Sequence, residues 1–320
     1  MMRLITHKRS INTAKSTKDT KELPVHRSVL LNELVDALQI RQGDTIVDAT
    51  AGGGGHDKLA CSQLGKSGTL ITIDMDTDAL IRSKKHLNDL SCKKIFQEGN
   101  FRDMQHMINS FGIEHVDGVM FDLGFNSYQI ENSGRGFSFR ANEPLLMTFK
   151  KVPNENDITA DSIINSWDEE HIADILYGYG EERFARRIAR GIIAARKIKK
   201  IERTVELVDI VKSSTPRWYH ARRIHPATKT FQALRIAVND EIETLRKGLR
   251  EALSILKRGG RLAVISFHSI EDRVVKQFFN GASKDGHGMI ITKKPIVPQR
   301  DEISRNPRAR SAKLRIFESN

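Results

Sequence analysis

IVDATAGGGGHDKLA, Ile46 to Ala60, joins a β-branched run and an aspartate to four consecutive glycines, a histidine and a helix-like pattern. Glycine loses more backbone freedom on folding than any other residue, so a run of four needs a reason beyond one tight turn. At a strand-to-helix junction that reason is a ligand brought close to main chain. Two phosphate loops fail the test. The nucleoside-triphosphate loop ending in Gly65, Lys66 and Ser67 has Ala60 where its first glycine belongs. A dinucleotide fingerprint begun at Gly52 or Gly53 meets Asp57 or Lys58 at its third glycine. What remains is a glycine loop without a lysine to grip a phosphate, which favours an uncharged or zwitterionic nucleoside.

The following segments supply the rest of such a site. TLITIDMD, Thr69 to Asp76, alternates toward Asp74, about twenty residues past the glycines, where doubly wound folds place a carboxylate on the ribose hydroxyls. Asp76 or Asp78 serves to cap the helix DALIRSKKHL. KKIFQEGNF, Lys93 to Phe101, reads as a third strand ending in a ring suited to an adenine, and VDGVMFDLG, Val116 to Gly124, as a fourth carrying Asp122. Gly54, Asp74, Phe101 and Asp122 all fall at the carboxyl ends of strands, where open α/β sheets bind ligands. The combination favours S-adenosylmethionine over NAD or ATP.

GGRLAVISFH, Gly259 to His268, reads as the fifth strand, and the chain from Gly124 to it is far longer than one crossover needs. A domain is inserted there, with helical patterns in DSIINSW, EEHIADILYGYG, ERFARRIARGIIAARK and TVELVDIVKSS. TKTFQALRIAVNDEIETLRKGLREALSILK then reads as one long helix stopped by Gly259 and Gly260, and IEDRVVKQFF as another helix. GMIITKKPIV and SAKLRIFES read as closing strands. The expected organisation is a tail at 1–24, a discontinuous sheet domain at 25–138 and 226–320, and a helical insertion at 139–225.

Composition fits a soluble enzyme of about two domains: 320 residues, 39% hydrophobic, with no apolar run long enough for a membrane span. Cys61 and Cys92 are far apart in sequence, which leaves neither a disulfide framework nor a thiolate metal site and points to a reducing compartment. No metal site is expected, since the histidines show no ligand spacing. The segment Met1 to Lys18 has no acidic residue and is read as a basic tail, with a transit peptide as the alternative. Net charge is +12 and the pI is near 9.7. Nine lysines and arginines lie between Arg183 and Arg203, and RWYHARR, Arg217 to Arg223, interleaves arginines with aromatics. Part of the first run is a solvated helix face, but one-sided charge with aromatics is the footprint of nucleic acid.

The motifs HRSVLLNE, DATAGGGGH, IDMD, DGVMFDLG, RGFSF, YGEERFARRIAR, HPATKTFQALRIAVNDE, GGRLAVISFHSIEDRVVK and NPRARSAKLRI, in order from His26 to the C-terminus, resemble the RsmH (MraW) family. The resemblance implies an α/β, Rossmann-like class I S-adenosylmethionine-dependent methyltransferase sheet with an inserted, mostly helical domain. It implies methylation of the exocyclic N4 of a cytidine in the decoding region of 16S small-subunit ribosomal RNA. It also implies cofactor contacts at Gly54, Gly55, His56, Asp74, Phe101, Asp122 and Gln129, of which His56 and Gln129 come from the resemblance alone. Two segments depart from it. DLGFNSYQ has Asn126 where members carry the first serine of D-L-G-x-S-S-x-Q, and EPLLMTFK, Glu143 to Lys150, replaces G-P-L-D-M-R-M-D and so loses both acids and the arginine.

A cytosine amino group has its lone pair delocalised into the ring, so acceptors must hold its hydrogens and turn the lone pair toward the methyl carbon. Asn126, Ser127 and His268 are the candidates, with His268 equally readable as a structural histidine. Ring-carbon methylation would need a cysteine nucleophile at a strand end, which neither Cys61 nor Cys92 occupies. The expected partner is 16S rRNA or the small subunit, with monomer and homodimer both open, in the cytoplasm or, with a transit peptide, the mitochondrial matrix. A methyltransferase for another RNA and a non-catalytic assembly factor remain as alternatives.

Overall fold

The protein is described by a computed structural model covering residues 28–123, 133–150 and 152–320. The apolar runs form seven strands, β1 (Thr45–Asp48), β2 (Thr69–Asp74), β3 (Lys93–Glu98), β4 (Val116–Asp122), β5 (Leu256–Ser266), β6 (Gly288–Ile290) and β7 (Lys313–Ser319). They make one sheet in the order β3-β2-β1-β4-β5-β7-β6, parallel from β3 to β5 and antiparallel through β7 and β6. Strands covered on both faces read as continuous apolar runs, and β4 accordingly buries Val119, Met120 and Phe121 in succession. This is the α/β Rossmann-like sheet expected from the glycine loop. Its strand order reverses between β1 and β4, which opens a crevice at their carboxyl ends.

Around the sheet lie α1 (Leu31–Ala37), α2 (Gly55–Leu64), α3 (Thr77–His86) and α4 (Met104–Asn109). Asp76 caps α3, its carboxylate accepting the Asp78 N–H, as the sequence suggests. Between β4 and β5 come α5 (Ala160–Ser166), α6 (Glu169–Gly178), α7 (Ala185–Ile198), α8 (Thr204–Ser214), α9 (Arg217–His220), α10 (Thr228–Asn239) and α11 (Glu241–Ile255). After β5 follow α12 (Ser269–Lys284) and α13 (Arg300–Arg305). None of the described helices is long and apolar enough to cross a membrane. Helices α5 to α8 close around a second core that includes Ile163, Leu176, Ile188, Ile192, Leu207 and Val211. Phe137 and Met147 join it from one side and Phe231 and Leu234 of α10 from the other, while Ile236 of α10 belongs to the sheet core.

Two expectations are overturned. The long helix after Pro226 is two helices, because Asp240 adopts a left-handed conformation (φ 48°, ψ 41°) that a helix cannot continue through and that aspartate tolerates better than most residues. Its stop is not the glycine pair either: β5 begins at Leu256, and Gly259, at φ +76°, sits inside it where the pairing with β4 shifts register. The cysteines are also joined. Cys61 on α2 and Cys92 ahead of β3 form a disulfide with Cα atoms 5.6 Å apart. Separation along the chain gave no measure of distance here, since α2 packs on β2 and β2 pairs with β3. The argument for a reducing compartment from unpaired cysteines loses its support.

The C-terminal strand is tied down by charge. Asp272 of α12 accepts from Arg315 Nε at 2.7 Å and Lys313 Nζ at 2.9 Å, and Arg315 is buried. Burial works against the Asp272 carboxylate, yet these two cations hold its pKa below the ordinary value. A depressed folded-state pKa means the stabilisation is complete above the unfolded aspartate value near 4 and is lost as pH falls through the folded value. Asp272→Ala leaves Arg315 buried and unpaired, and urea unfolding at pH 7 should show a loss of about 3–5 kcal/mol. The difference from wild type should shrink as the pH is lowered below about 4.

Candidate active site

The crevice at the carboxyl ends of β1 and β4 is a cavity of about 1110 Å³. Its floor is the glycine loop. Gly54 has φ +75°, and a Cβ built on it would lie 2.9 Å from the Ser83 Cα, so only glycine lets this loop pass over α3. Beneath it the buried Asp57 accepts a hydrogen bond from Ser83 Oγ at 2.5 Å, which ties α2 to α3. Asp48 and Asp57 are neighbouring buried carboxylates; burial, then the Asp57 charge, pushes the Asp48 pKa well up, and burial raises that of Asp57. Thr50 closes the arrangement, donating N–H and hydroxyl to Asp48 Oδ1 and accepting the Asp122 N–H at 2.7 Å.

Asp74 lines the cavity at the end of β2. The Gly52 N–H donates to its Oδ2 (3.2 Å) and the Asp76 N–H to its Oδ1 (2.8 Å), which leaves each oxygen able to accept one more hydrogen bond. Desolvation raises its pKa to about 6 against those two backbone bonds. Phe101, in the turn after β3, packs edge-on to Phe121 with ring centroids 5.2 Å apart. Gly248 of α11 makes room for that ring, since a Cβ there would lie 2.4 Å from it.

His56 is buried, and its Nε2 donates to the Val29 carbonyl at 3.0 Å, because a carbonyl can only accept. Its Nδ1 is therefore left toward Asp122 Oδ2 at 3.5 Å, and burial lowers its pKa. Asp122 is held up to about 7 by desolvation and then by the charge of Glu271. Its Oδ1 is buried without a hydrogen-bond partner among the described residues. A ligand N–H or ammonium entering here would satisfy it.

A family model for the MraW methylase family matches residues 24–320. The chain belongs to the MraW methylase family. This methyltransferase is 42% identical to the "Ribosomal RNA small subunit methyltransferase H" of Brevibacillus brevis, over 92% of this chain and 97% of that one. It is 44% identical to the protein of the same name in Nostoc punctiforme, over 92% and 93%. Among solved structures, a SAM-dependent O-methyltransferase of Thermotoga maritima aligns at 8% identity with a TM-score of 0.40, covering 90% of this chain and 64% of that one.

In this MraW methylase Gly54, Gly55, His56, Asp74, Phe101 and Asp122 line one cavity. Gln129, Asn126 and Ser127 lie outside the described residues. His268 caps α12 instead of lining the cavity: Nδ1 accepts the Glu271 N–H (3.3 Å) and Nε2 faces Glu271 Oε1 (3.1 Å). Glu241, His268 and Glu271 hold ligand atoms within 4.8 Å of one another, but the Arg235 guanidinium sits bidentately on Glu241, both bonds 2.7 Å, and supplies the positive charge there.

Sequence reading missed several residues of the wall. Asn239 accepts the Phe149 N–H and donates to the Met147 carbonyl, both at 2.8 Å, which sets the EPLLMTFK segment against the cavity. Arg140, Phe149, Glu271, Arg308 and Arg310 also line it. The Asn239-Asp240 pair was a visible turn signal inside a helical pattern. The arginines carried none, because nothing in a linear motif says which loop folds back. Gly54→Ala adds both left-handed strain and a backbone clash, so chemical denaturation should show a loss of at least about 1–3 kcal/mol. Gly112→Ala, at φ +73° with open space around its Cβ, carries the strain alone and should cost less.

Proposed function

We propose that this cavity binds S-adenosylmethionine and that the methyl group goes to the exocyclic N4 of a cytidine in the decoding region of 16S ribosomal RNA. The observation that carries the reading is one cavity holding a glycine loop without a phosphate anchor and Asp74, both of whose oxygens are aimed by backbone N–H groups. The relatives' name, a small-subunit ribosomal RNA methyltransferase, supplies the target class. The residues fit the cofactor: Asp74 would take the ribose hydroxyls, Phe101 the adenine, and the loop from Gly54 to His56 would face the methionine end. Bound there, S-adenosylmethionine supplies a methyl group on a positive sulfonium.

The chain's own work is positioning and charge. The amine must be turned so that its lone pair faces the methyl, and it sheds a proton as the new C–N bond forms. Asn126 and Ser127, which follow Asp122 closely in sequence and lie outside the described residues, are the proposed acceptors for the amine hydrogens. Asp122, with its buried unpartnered oxygen, fits either the cofactor's ammonium or that proton. A cysteine route to a ring carbon is disfavoured, since Cys61 and Cys92 are buried in the core and bonded to each other. Methyl transfer from a sulfonium calls for no metal. The helical unit built on the second core is the proposed RNA-recognition domain, and the cytoplasm the proposed compartment.

Incubation with labelled cofactor and unmodified small subunits, followed by mass-spectrometric mapping, should place the methyl on a single cytidine of the decoding region. Label elsewhere would favour a different RNA target, and binding without label an assembly factor. Asp74→Ala should weaken cofactor binding by about 2–4 kcal/mol in calorimetry, the scale of a lost charge-assisted pair. Ribose hydroxyls donate to the ionised carboxylate, so binding should lower the Asp74 pKa from about 6. Affinity should therefore rise from pH 5 to 7 with proton release, visible in buffers of different ionisation enthalpy. Asp74→Asn should remove the part of that dependence centred near pH 6 and leave any part carried by Asp122, whose pKa is about 7.

A further inference from the structure

The basic run between Arg183 and Arg223 divides into two parts with different partners. Toward the end of α7, Arg196 donates to the Ile164 carbonyl, Lys199 pairs with Glu206 and Lys200 with Asp161. Those charges are used within the protein. At its start the arginines lie on rings instead. The Arg183 guanidinium is 5.2 Å from the centroids of both Phe184 and Trp218, Arg187 is 5.8 Å from Phe184, and Arg222 is 5.5 Å from Tyr219.

Two adjacent residues of α9 explain how this patch is held. Tyr219 points inward, buried, and its hydroxyl donates at 2.6 Å to Glu182, itself fully buried. Trp218 points outward and is 54% exposed. Trp218 is thus an exposed ring on a helix whose next residue is anchored from beneath. Arginine on such rings keeps its charge for an incoming phosphate.

The patch connects to the cavity. Arg140 is on the cavity wall. Next to it in sequence, Phe139 stacks on His225 with centroids 4.5 Å apart. Burial and then the like charges of Lys212, Arg140 and His220 lower the His225 pKa. Arg140, Phe139, His225 and His220 thus lie on the side of the ring cluster Trp218–Tyr219 on which Arg183 and Arg222 rest, His220 being next to Tyr219 in α9.

The geometry points to a track for single-stranded RNA leading away from the cavity mouth, with Trp218 as the platform on which one flanking base stacks and Arg183 and Arg222 on the adjoining phosphates. A peptide partner is less suited, since the face combines flat rings with arginines that make no ion pair among the described residues, the combination that single strands need. This rests on the RNA methyl transfer proposed above, and extends it to a residue that never meets the target base.

The test uses full-length protein. With unmodified small subunits, Trp218→Ala should raise KM about five- to a hundredfold, the range for one lost base–aromatic stack, with kcat at saturation and cofactor affinity unchanged. Trp218→Phe should recover most of the loss, which a merely disturbed fold would not. Arg183→Ala and Arg222→Ala should each flatten the salt dependence of RNA binding by about one unit of slope, whereas Lys200→Ala should not. In a Trp167→Phe background Trp218 is the sole tryptophan, and an oligouridylate should quench its fluorescence. Unchanged KM in Trp218→Ala, or a raised KM without quenching by the oligonucleotide, would overturn the proposal, the latter by pointing to a ribosomal protein. If wild-type protein leaves subunits unlabelled, the methyl-transfer reading fails, and quenching still decides the track.

Discussion

The hydroxyl of Thr50 joins the two strands on which the site is built. It donates to Asp48 at the end of β1 and accepts the N–H of Asp122 at the end of β4, the two strands between which the sheet order reverses. At that point the crossovers leave in opposite directions; the backbone ladder between the strands ends with the Ala49 N–H on the Met120 carbonyl, and the Thr50 side chain carries the link on to Asp122. The glycine loop starts from one of them, and Asp122, with its buried unpartnered oxygen among the described residues, ends the other, so both sides of the cavity floor are set by the same few atoms.

Much of this was readable in sequence because it is local. A glycine run after an apolar strand, an aspartate one strand later and a ring after the next are each fixed by a period of two and by a turn, and the sheet then brings their ends together. What escaped reading depends on long-range contact. Asp240 sits in a pattern that is amphipathic on both sides, so only its left-handed backbone reveals the break into α10 and α11. The union of Cys61 with Cys92 follows from strand adjacency that no spacing encodes. His268 illustrates a different limit, since a histidine after a strand has the same sequence signature whether it faces a ligand or caps a helix, as it does here.

Charge was the coarsest of the sequence signals, and structure resolves it. A count of basic residues between Arg183 and Arg223 cannot separate a cation spent on a neighbouring carboxylate from one lying on a ring. Lys199 and Lys200 are the first kind and Arg183 and Arg222 the second. The distinction follows from the sequence only once helix ends are known, because Glu206 and Asp161 lie near the C-terminal end of α7 and not near its start.

The side chain of Asn239 lies where helix, segment and cavity meet. It fastens Phe149 and Met147 to the last turn of α10, immediately before the left-handed joint at Asp240. Asp74 and the glycines, by contrast, are bonded to one another and to α2 and α3, with Gly52 and Asp76 on Asp74, Lys58 on Gly54 and His86 on Gly53. Arg135 joins the two walls: its guanidinium donates to the Thr148 and Phe149 carbonyls and lies 3.8 Å from the Asp76 carboxylate. Because the Asp76 N–H in turn bonds Asp74, a shift of Phe149 would be felt through one cation at the carboxylate on the far side of the cavity.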